Sequence, residues 1–283
     1  VTALAIVTDS TSDLDAATAQ RYGIDVVPLF VQFGDERFRD GIDLSREAFY
    51  QRLRAGGVLP TTAQPTAAMF EDAFRPHVEA GREIVCLTIN AKLSGTANAA
   101  TAAAQQFPGA PISVVESATV SGGLALQAML AADLARADTA PVLLLAALER
   151  ARDLSRGYAV IPDLSHVVRT GRATHLQGFL AAIVKIVPVL RFAHGAIEEE
   201  ARVRTYARAE EAMLAAAVRV IDASAGARVC VVHTDARARA ESVAAHLRER
   251  IAQPLHALDL LEAGPVIAAH AGPGAVGIFV LPG

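Results

Sequence analysis

Chemistry in this sequence concentrates in four short polar loops, at 8–12, 61–66, 90–96 and 116–121, each rich in hydroxyl side chains and each tied to an apolar, strand-like run. In open α/β sheets ligands lie at the carboxyl ends of the strands, so these loops are expected to meet on one rim. They hold almost no acid–base groups. Ser94-Gly95-Thr96 stands where a helix begins, and free backbone N–H groups beside a serine hydroxyl form a cradle for a small anion. The same residues also fit a plain helix start in which Ser94 is only the N-cap. Near the other end, Gly264-Pro265 and Gly272-Pro273 bracket His270. A histidine fixed between two Gly-Pro pairs suits an anion or hydrogen-bond ligand, and equally a structural loop histidine.

Other chemistries fail on spacing. Gly272, Gly274 and Gly277 satisfy G-x-G-x-x-G, but they precede the final strand-like run, whereas a dinucleotide fingerprint follows a strand and opens a helix. No phosphate loop of the G-x-x-x-x-G-K-[ST] type occurs, and no G-x-S-x-G nucleophile elbow. The eight histidines show no metal-binding spacing, and the two cysteines, Cys86 and Cys230, lie in apolar strand-like runs that suit reduced core thiols. No metal is expected. Ser94 and His270 could form a nucleophile–base pair, which makes a serine acyl hydrolase or acyltransferase the competing reading. No third, orienting group is evident.

The elements that must hold these residues follow from periodicity. Short apolar runs alternate with amphipathic stretches, the pattern of a parallel sheet covered by helices. Strands are expected at 3–7, 24–31, 83–89 and 112–115. Helices are expected at 13–22, from Ser45 to the Gly56-Gly57 stop, after Thr66, after Thr96, and at 121–136 and 141–152. Beyond that the texture changes. Runs at 187–192 and 197–206 flank Ala193-His194-Gly195-Ala196 and predict an antiparallel hairpin. A helix at 208–223, a strand at 228–233, a helix at 237–251 and a strand at 275–281 complete an α+β half. The expected fold is therefore α/β with two domains, residues 1–155 forming a Rossmann-like parallel-sheet domain and 156–283 an α+β domain with a mixed or antiparallel sheet.

The chain of 283 residues has 26 Lys and Arg against 30 Asp and Glu, a net charge of −4, which provides no field for a nucleic-acid backbone. The longest apolar run, 178–190, is broken by Lys185 and Pro188 and is too short to span a bilayer. With no basic leader before Asp9, the expected location is the cytoplasm.

Taken in order, the motifs resemble the DegV family of bacterial fatty-acid-binding proteins over nearly the whole chain. Thr8-Asp9-Ser10-Thr11-Ser12-Asp13-Leu14 is similar to T-D-S-T-x-D-L, and Thr62-Ala63-Gln64-Pro65-Thr66 to T-S-Q-P-S. Leu93-Ser94-Gly95-Thr96 matches L-S-G-T, Gly171-Arg172 the end of G-G-R, and the stretch 264–277 matches G-P-x-I-x-x-H-x-G-P-G-x-x-G. The resemblance implies one long-chain fatty acid held between the domains, with its carboxylate near Thr62, Ser94, Gly95 and His270. It also implies a carrier without catalytic residues or cofactor, whose partner is a fatty-acid kinase that makes an acyl phosphate for phospholipid synthesis. Arg172, Arg202 and Arg204 would then lie at the mouth and the partner-facing surface. Phe30, Leu93, Leu124, Phe179, Ile183 and Phe279 are the expected tunnel lining. A small-molecule kinase, suggested by kinship with dihydroxyacetone kinase, lacks a nucleotide motif. Asn90 and Glu116 depart from the family's usual residues, as does Val187, which stands where a lysine is common.

Overall fold

The computed structural model describes residues 4–172 and 186–283. Its first sheet is fully parallel, in the order β2 (Ile24–Val27), β1 (Ala5–Asp9), β6 (Ile84–Thr88), β7 (Ile112–Glu116). Strands β1 and β6 are buried throughout, which is why their sequences read as continuous apolar runs rather than alternating ones. A small antiparallel sheet of β4 (Glu36–Arg39), β3 (Phe30–Phe33) and β5 (Thr61–Ala63) stands beside it. The third sheet has six strands in the order β10 (Ala196–Val203), β9 (Val187–Ala193), β8 (Arg156–Val160), β13 (Val276–Pro282), β11 (Ala227–His233), β12 (Leu255–Glu262). Only β11 and β12 pair in parallel, so the sheet is mixed, and the molecule is an α/β protein of the expected class.

Several expected elements change shape. The run at 24–31 divides into β2 and β3 because Pro28 has no N–H to give a ladder, and the two pieces join different sheets. The helix expected at 13–22 is α1 (Ala16–Tyr22), capped by Asp15, which accepts from Thr18 N. Ser10–Ser12 before it is a 3₁₀ turn that ends with Asp13 at φ 58°. Residues 61–63 form strand β5 instead of loop. Strands β8 and β12, unassigned by the sequence reading, carry Gly157 or alternating polar residues that mask a strand pattern. The Gly264-Pro265 segment also proves helical. Pro265 takes the first position of a helix, where its missing N–H costs nothing.

Helices α2 (Arg46–Ala55) and α3 (Ala67–Glu79) follow the first strands, with Ser45 and Thr66 as side-chain N-caps. Helix α4 (Thr96–Ala104) follows β6, and α5 (Gly122–Arg136) follows β7. Helix α5 lies between the two large sheets, and its glycines and alanines let both sheets approach closely. One core cluster therefore runs from Ile6, Val85 and Leu87 through Leu124, Leu126 and Met129 to Cys230, Val232 and Phe279. Helix α6 (Pro141–Leu154) covers α5. All six strands of the mixed sheet come from residues 156–282, together with α7 (Ser165–Arg169), α8 (Tyr206–Asp222), α9 (Arg237–Arg250) and α10 (Pro265–Ala271). No helix among the described residues is long and apolar enough to cross a membrane.

Candidate functional site

A partly open cavity of about 140 Å³ lies where the loops after the parallel strands meet the mixed sheet. Thr11, Thr62, Gln64, Leu93, Ser94 and Ser121 line it from the first half of the chain. Ile161, Leu190, Phe192, Val232, His270 and Phe279 line it from the second. All four polar loops are tied to this rim. Most of the remaining wall is aliphatic or aromatic.

His270 reaches the cavity on the last turn of α10. Its Nε2 is 2.9 Å from Thr62 Oγ1, and its Nδ1 is buried without a hydrogen-bond partner among the described residues. Burial, assisted by the Arg172 charge, holds the imidazole pKa down at about 3, so the ring is neutral at physiological pH. A buried, unpaired ring nitrogen costs free energy unless something supplies the missing partner.

Ser94 sits one residue before the N-cap of α4. That cap is Gly95, which gives no side-chain hydrogen bond, so the reading of Ser94 as a simple N-cap is corrected. The Ser94 hydroxyl instead pairs with Thr96 Oγ1 at 2.8 Å. A Cβ at Gly95 would meet only the amide end of the flexible Gln64 side chain, and Gly95 does not line the cavity, whereas Gln64 does.

Beneath the rim lies a buried group of carboxylates to which the sequence reading assigned no role. Asp9 accepts from Thr11 N at 2.9 Å, Ile89 N at 2.8 Å and Thr11 Oγ1 at 2.5 Å. Asp13 accepts from Ser121 Oγ at 2.5 Å and from Gly264 N at 2.8 Å, and so holds the start of the helix that carries His270. Asp40 accepts from Ser10 Oγ at 2.8 Å and stands beside the same glycine. Burial raises these acids to about 6 for Asp9 and about 7 for Asp13 and Asp40, against the opposing pull of their hydrogen bonds. For Asp9 and Asp13 the available signal was aspartates set among hydroxyl residues at the end of a buried strand, where a solvated charge has no place; Asp40, after the exposed strand β4, carried no such signal.

The remaining expected site residues scatter. Arg172 is exposed at the cavity edge, with Nη1 donating to Thr170 O at 2.6 Å. Arg202 on β10 and Arg204 just beyond it are exposed and outside the cavity lining, and Arg202 Nε donates to the Glu199 carboxylate at 2.7 Å. Leu93 and Phe279 line the cavity. Phe30 does not, because it belongs to the small outer sheet, where Arg37 stacks 3.6 Å above its ring. Leu124 does not either, since the inter-sheet core encloses it completely. Phe179 and Ile183 lie outside the described residues. Leu190, Phe192 and Ile197 were missed, because the hairpin was legible but not which of its faces meets the cavity. No cluster of three or more His, Cys, Asp or Glu suited to a metal ion occurs among the described residues.

A family model described as uncharacterised protein, DegV family, matches residues 3–283. A DegV domain-containing protein of Deinococcus radiodurans is 34% identical over 281 residues, covering 99% of this chain and 98% of its own. One from Streptomyces coelicolor is 35% identical over 283 residues, covering 98% of each chain. Among solved structures, a DegV family protein from Thermus thermophilus, described by its fatty acid binding, matches with a TM-score of 0.90 at 31% identity over 99% of both chains. DegV from Bacillus subtilis, described as a fatty acid binding protein, matches with a TM-score of 0.89 at 25% identity over 100% of both.

Proposed function

The chain belongs to the DegV family, and on that footing we propose that it is a carrier that binds a long-chain fatty acid in the cavity, with the carboxylate at Thr62, Ser94 and His270. The observation that carries this reading is the buried, unpartnered Nδ1 of His270, on a ring whose Nε2 meets the Thr62 hydroxyl, in a cavity that Ser94 also lines and whose other walls are mainly apolar. A carboxyl group supplies the missing partner, and the tail gains roughly 0.8 kcal/mol gross for each methylene taken from water. Much of that is offset by the ordering of a flexible chain. The head group then fixes orientation while the tail supplies affinity.

Residues 1–155 and 156–283 act in this reading as two domains that enclose the ligand from either side. Arg172, exposed at the cavity edge, is suited to meet a cytoplasmic fatty-acid kinase and brace the charge that develops as the carboxylate is phosphorylated. Arg202 and Arg204, exposed outside the cavity lining, are assigned in this reading to the partner-facing surface. The acyl phosphate formed would serve phospholipid synthesis.

The serine hydrolase reading has less support. The His270 imidazole engages Thr62, the Ser94 hydroxyl engages Thr96, and a ring held near pKa 3 is a poor general base. Native mass spectrometry of the purified protein tests the assignment. A co-purifying long-chain acid, with no turnover of a p-nitrophenyl acyl ester and no acyl adduct on Ser94, is the expected result. Ester turnover with such an adduct would replace the carrier reading by the hydrolase one.

A further inference from the structure

Strands β9, β8 and β13 bring Phe192, Gly157 and Phe279 into one row, because Gly157 pairs with Phe192 on one side and with Phe279 on the other. Residues in register across a sheet project to the same face, so the row presents an aromatic ring, a gap and a second ring. The rings lean across the gap to a centroid distance of 5.7 Å, with their planes tilted by 46°. A Cβ at Gly157 would stand 2.5 Å from both Cδ1 and Cε1 of Phe279, and 3.2 Å from Cβ of Phe192. Helix α5 closes on the opposite edge, where a Cβ at Gly122 would stand 2.8 Å from Cδ2 of Phe279 and 2.8 Å from Cγ2 of Val232. Both rings line the cavity, whereas Gly157 and Gly122 do not.

We propose that Gly157 and Gly122, two residues outside the cavity, set how long an acyl chain it accepts by letting the Phe279 ring sit withdrawn from it. The proposal rests on the fatty-acid reading of the cavity and names the determinant of its chain-length selectivity. The reason is steric. The strand at Gly157 and the helix at Gly122 flank the ring on both edges with backbone that the surrounding core holds in place, so the ring's position is set by the room the two glycines leave it. A side chain added at either glycine must displace the ring, and the cavity is the free volume beside it. Shortening residue 279 does the reverse and returns ring volume to the ligand.

The test is native mass spectrometry of protein loaded from an equimolar mixture of myristic, palmitic, stearic and arachidic acids, with thermal melts to verify folding. Gly157→Ala is expected to shift the ratio of shorter to longer occupants by roughly tenfold toward the shorter, since each excluded methylene is worth about fourfold. Phe279→Leu is expected to shift it toward the longer, and the double variant to return toward the parent. Folded variants that carry the parent's distribution overturn the proposal and leave glycines that serve helix packing alone. Should Gly157→Ala not fold, Phe279→Leu decides by the same criterion. A parent that binds none of the acids overturns the cavity reading itself, and the parent spectrum shows this before any variant is compared.

Discussion

Thr62 and His270 are separated by 208 positions in sequence, yet Thr62 Oγ1 and His270 Nε2 stand 2.9 Å apart. The threonine comes from a three-residue strand of the small outer sheet and the histidine from the last turn of a seven-residue helix. The contact joins the two halves of the chain at the rim of the cavity, and the hydroxyl fixes the ring so that Nδ1 is the nitrogen left to a ligand.

Removing either hydroxyl should weaken acid binding without emptying the cavity. Thr62→Ala and Ser94→Ala are each expected to cost about 1–3 kcal/mol for a fatty acid, the usual loss when a charged acceptor loses a hydrogen bond. A fatty alcohol of equal length should respond less. Competition against a fluorescent fatty acid measures both, and unchanged acid affinity in Ser94→Ala would leave that hydroxyl to its Thr96 partner alone.

Binding should take up a proton. The imidazole of His270 is neutral in the empty site, with its pKa near 3, and a carboxylate arriving at Nδ1 favours a proton shared between the two groups. Titration calorimetry near pH 7 in buffers of different ionisation enthalpy should give an uptake approaching one proton per acid bound. His270→Gln should abolish it. An enthalpy independent of buffer would mean that the anion binds to a ring that stays neutral.

The buried acids predict a stability gain on substitution. Asp40 is raised from 3.8 to about 7 by burial, so the fold bears the cost of its charge above pH 7 and is relieved of it as the pH falls from 7 toward 4. Asp40→Asn keeps an acceptor for Ser10 and removes the charge. It should raise the melting temperature at pH 8, with an upper bound of about 4 kcal/mol, and the gain should fade by pH 4. His270 has the opposite sign, since its depressed pKa costs stability as the pH falls below 6.5. A variant less stable than the parent at pH 8 would show that the charge of Asp40 is needed where it stands.

Arg172 should separate binding from transfer. Arg172→Ala is expected to hold fatty acid within a few-fold of the parent and to fail in acyl phosphate formation when kinase and ATP are supplied. Full transfer by the variant would reduce Arg172 to a surface charge worth about 0–1 kcal/mol. Loss of binding would instead place it among the head-group ligands.

What could be read from sequence followed the reach of local signals. The buried strands at 84–88 and 227–233 announce themselves as apolar runs, and the 193–196 turn as glycine between strand-like segments. Thr62, Ser94 and His270 were legible as hydroxyls and an imidazole in constrained loops. The helix at Pro265–Ala271 was not, since it is short and flanked by glycine and proline on both sides. Asp13 was passed over because its value lies in the amide of Gly264, 251 positions away. Phe30 and Leu124 show the same limit from the other side, for an apolar residue type does not say which of several apolar spaces will receive it.

Strand β13 lies in the middle of the six-stranded sheet, between β8 and β11, and just before it helix α10 inserts Ala268 and Ala269 among Val31, Phe49 and Tyr50. Synthesis runs from the N-terminus, so a nascent chain that has reached residue 263 can pair β8 with β9 and β11 with β12, but lacks the strand that joins these two halves of the sheet, and its first half has a small core that is missing its plug. Such a chain lacks His270 and Phe279, and with them part of the cavity wall. The cavity thus assembles only once residues 264–279 have been made, through contacts between distant parts of the sequence, and folding of this kind is slow. Loss of residues 264–282 would leave two unpaired strand edges, an aggregation-prone product rather than a weak binder.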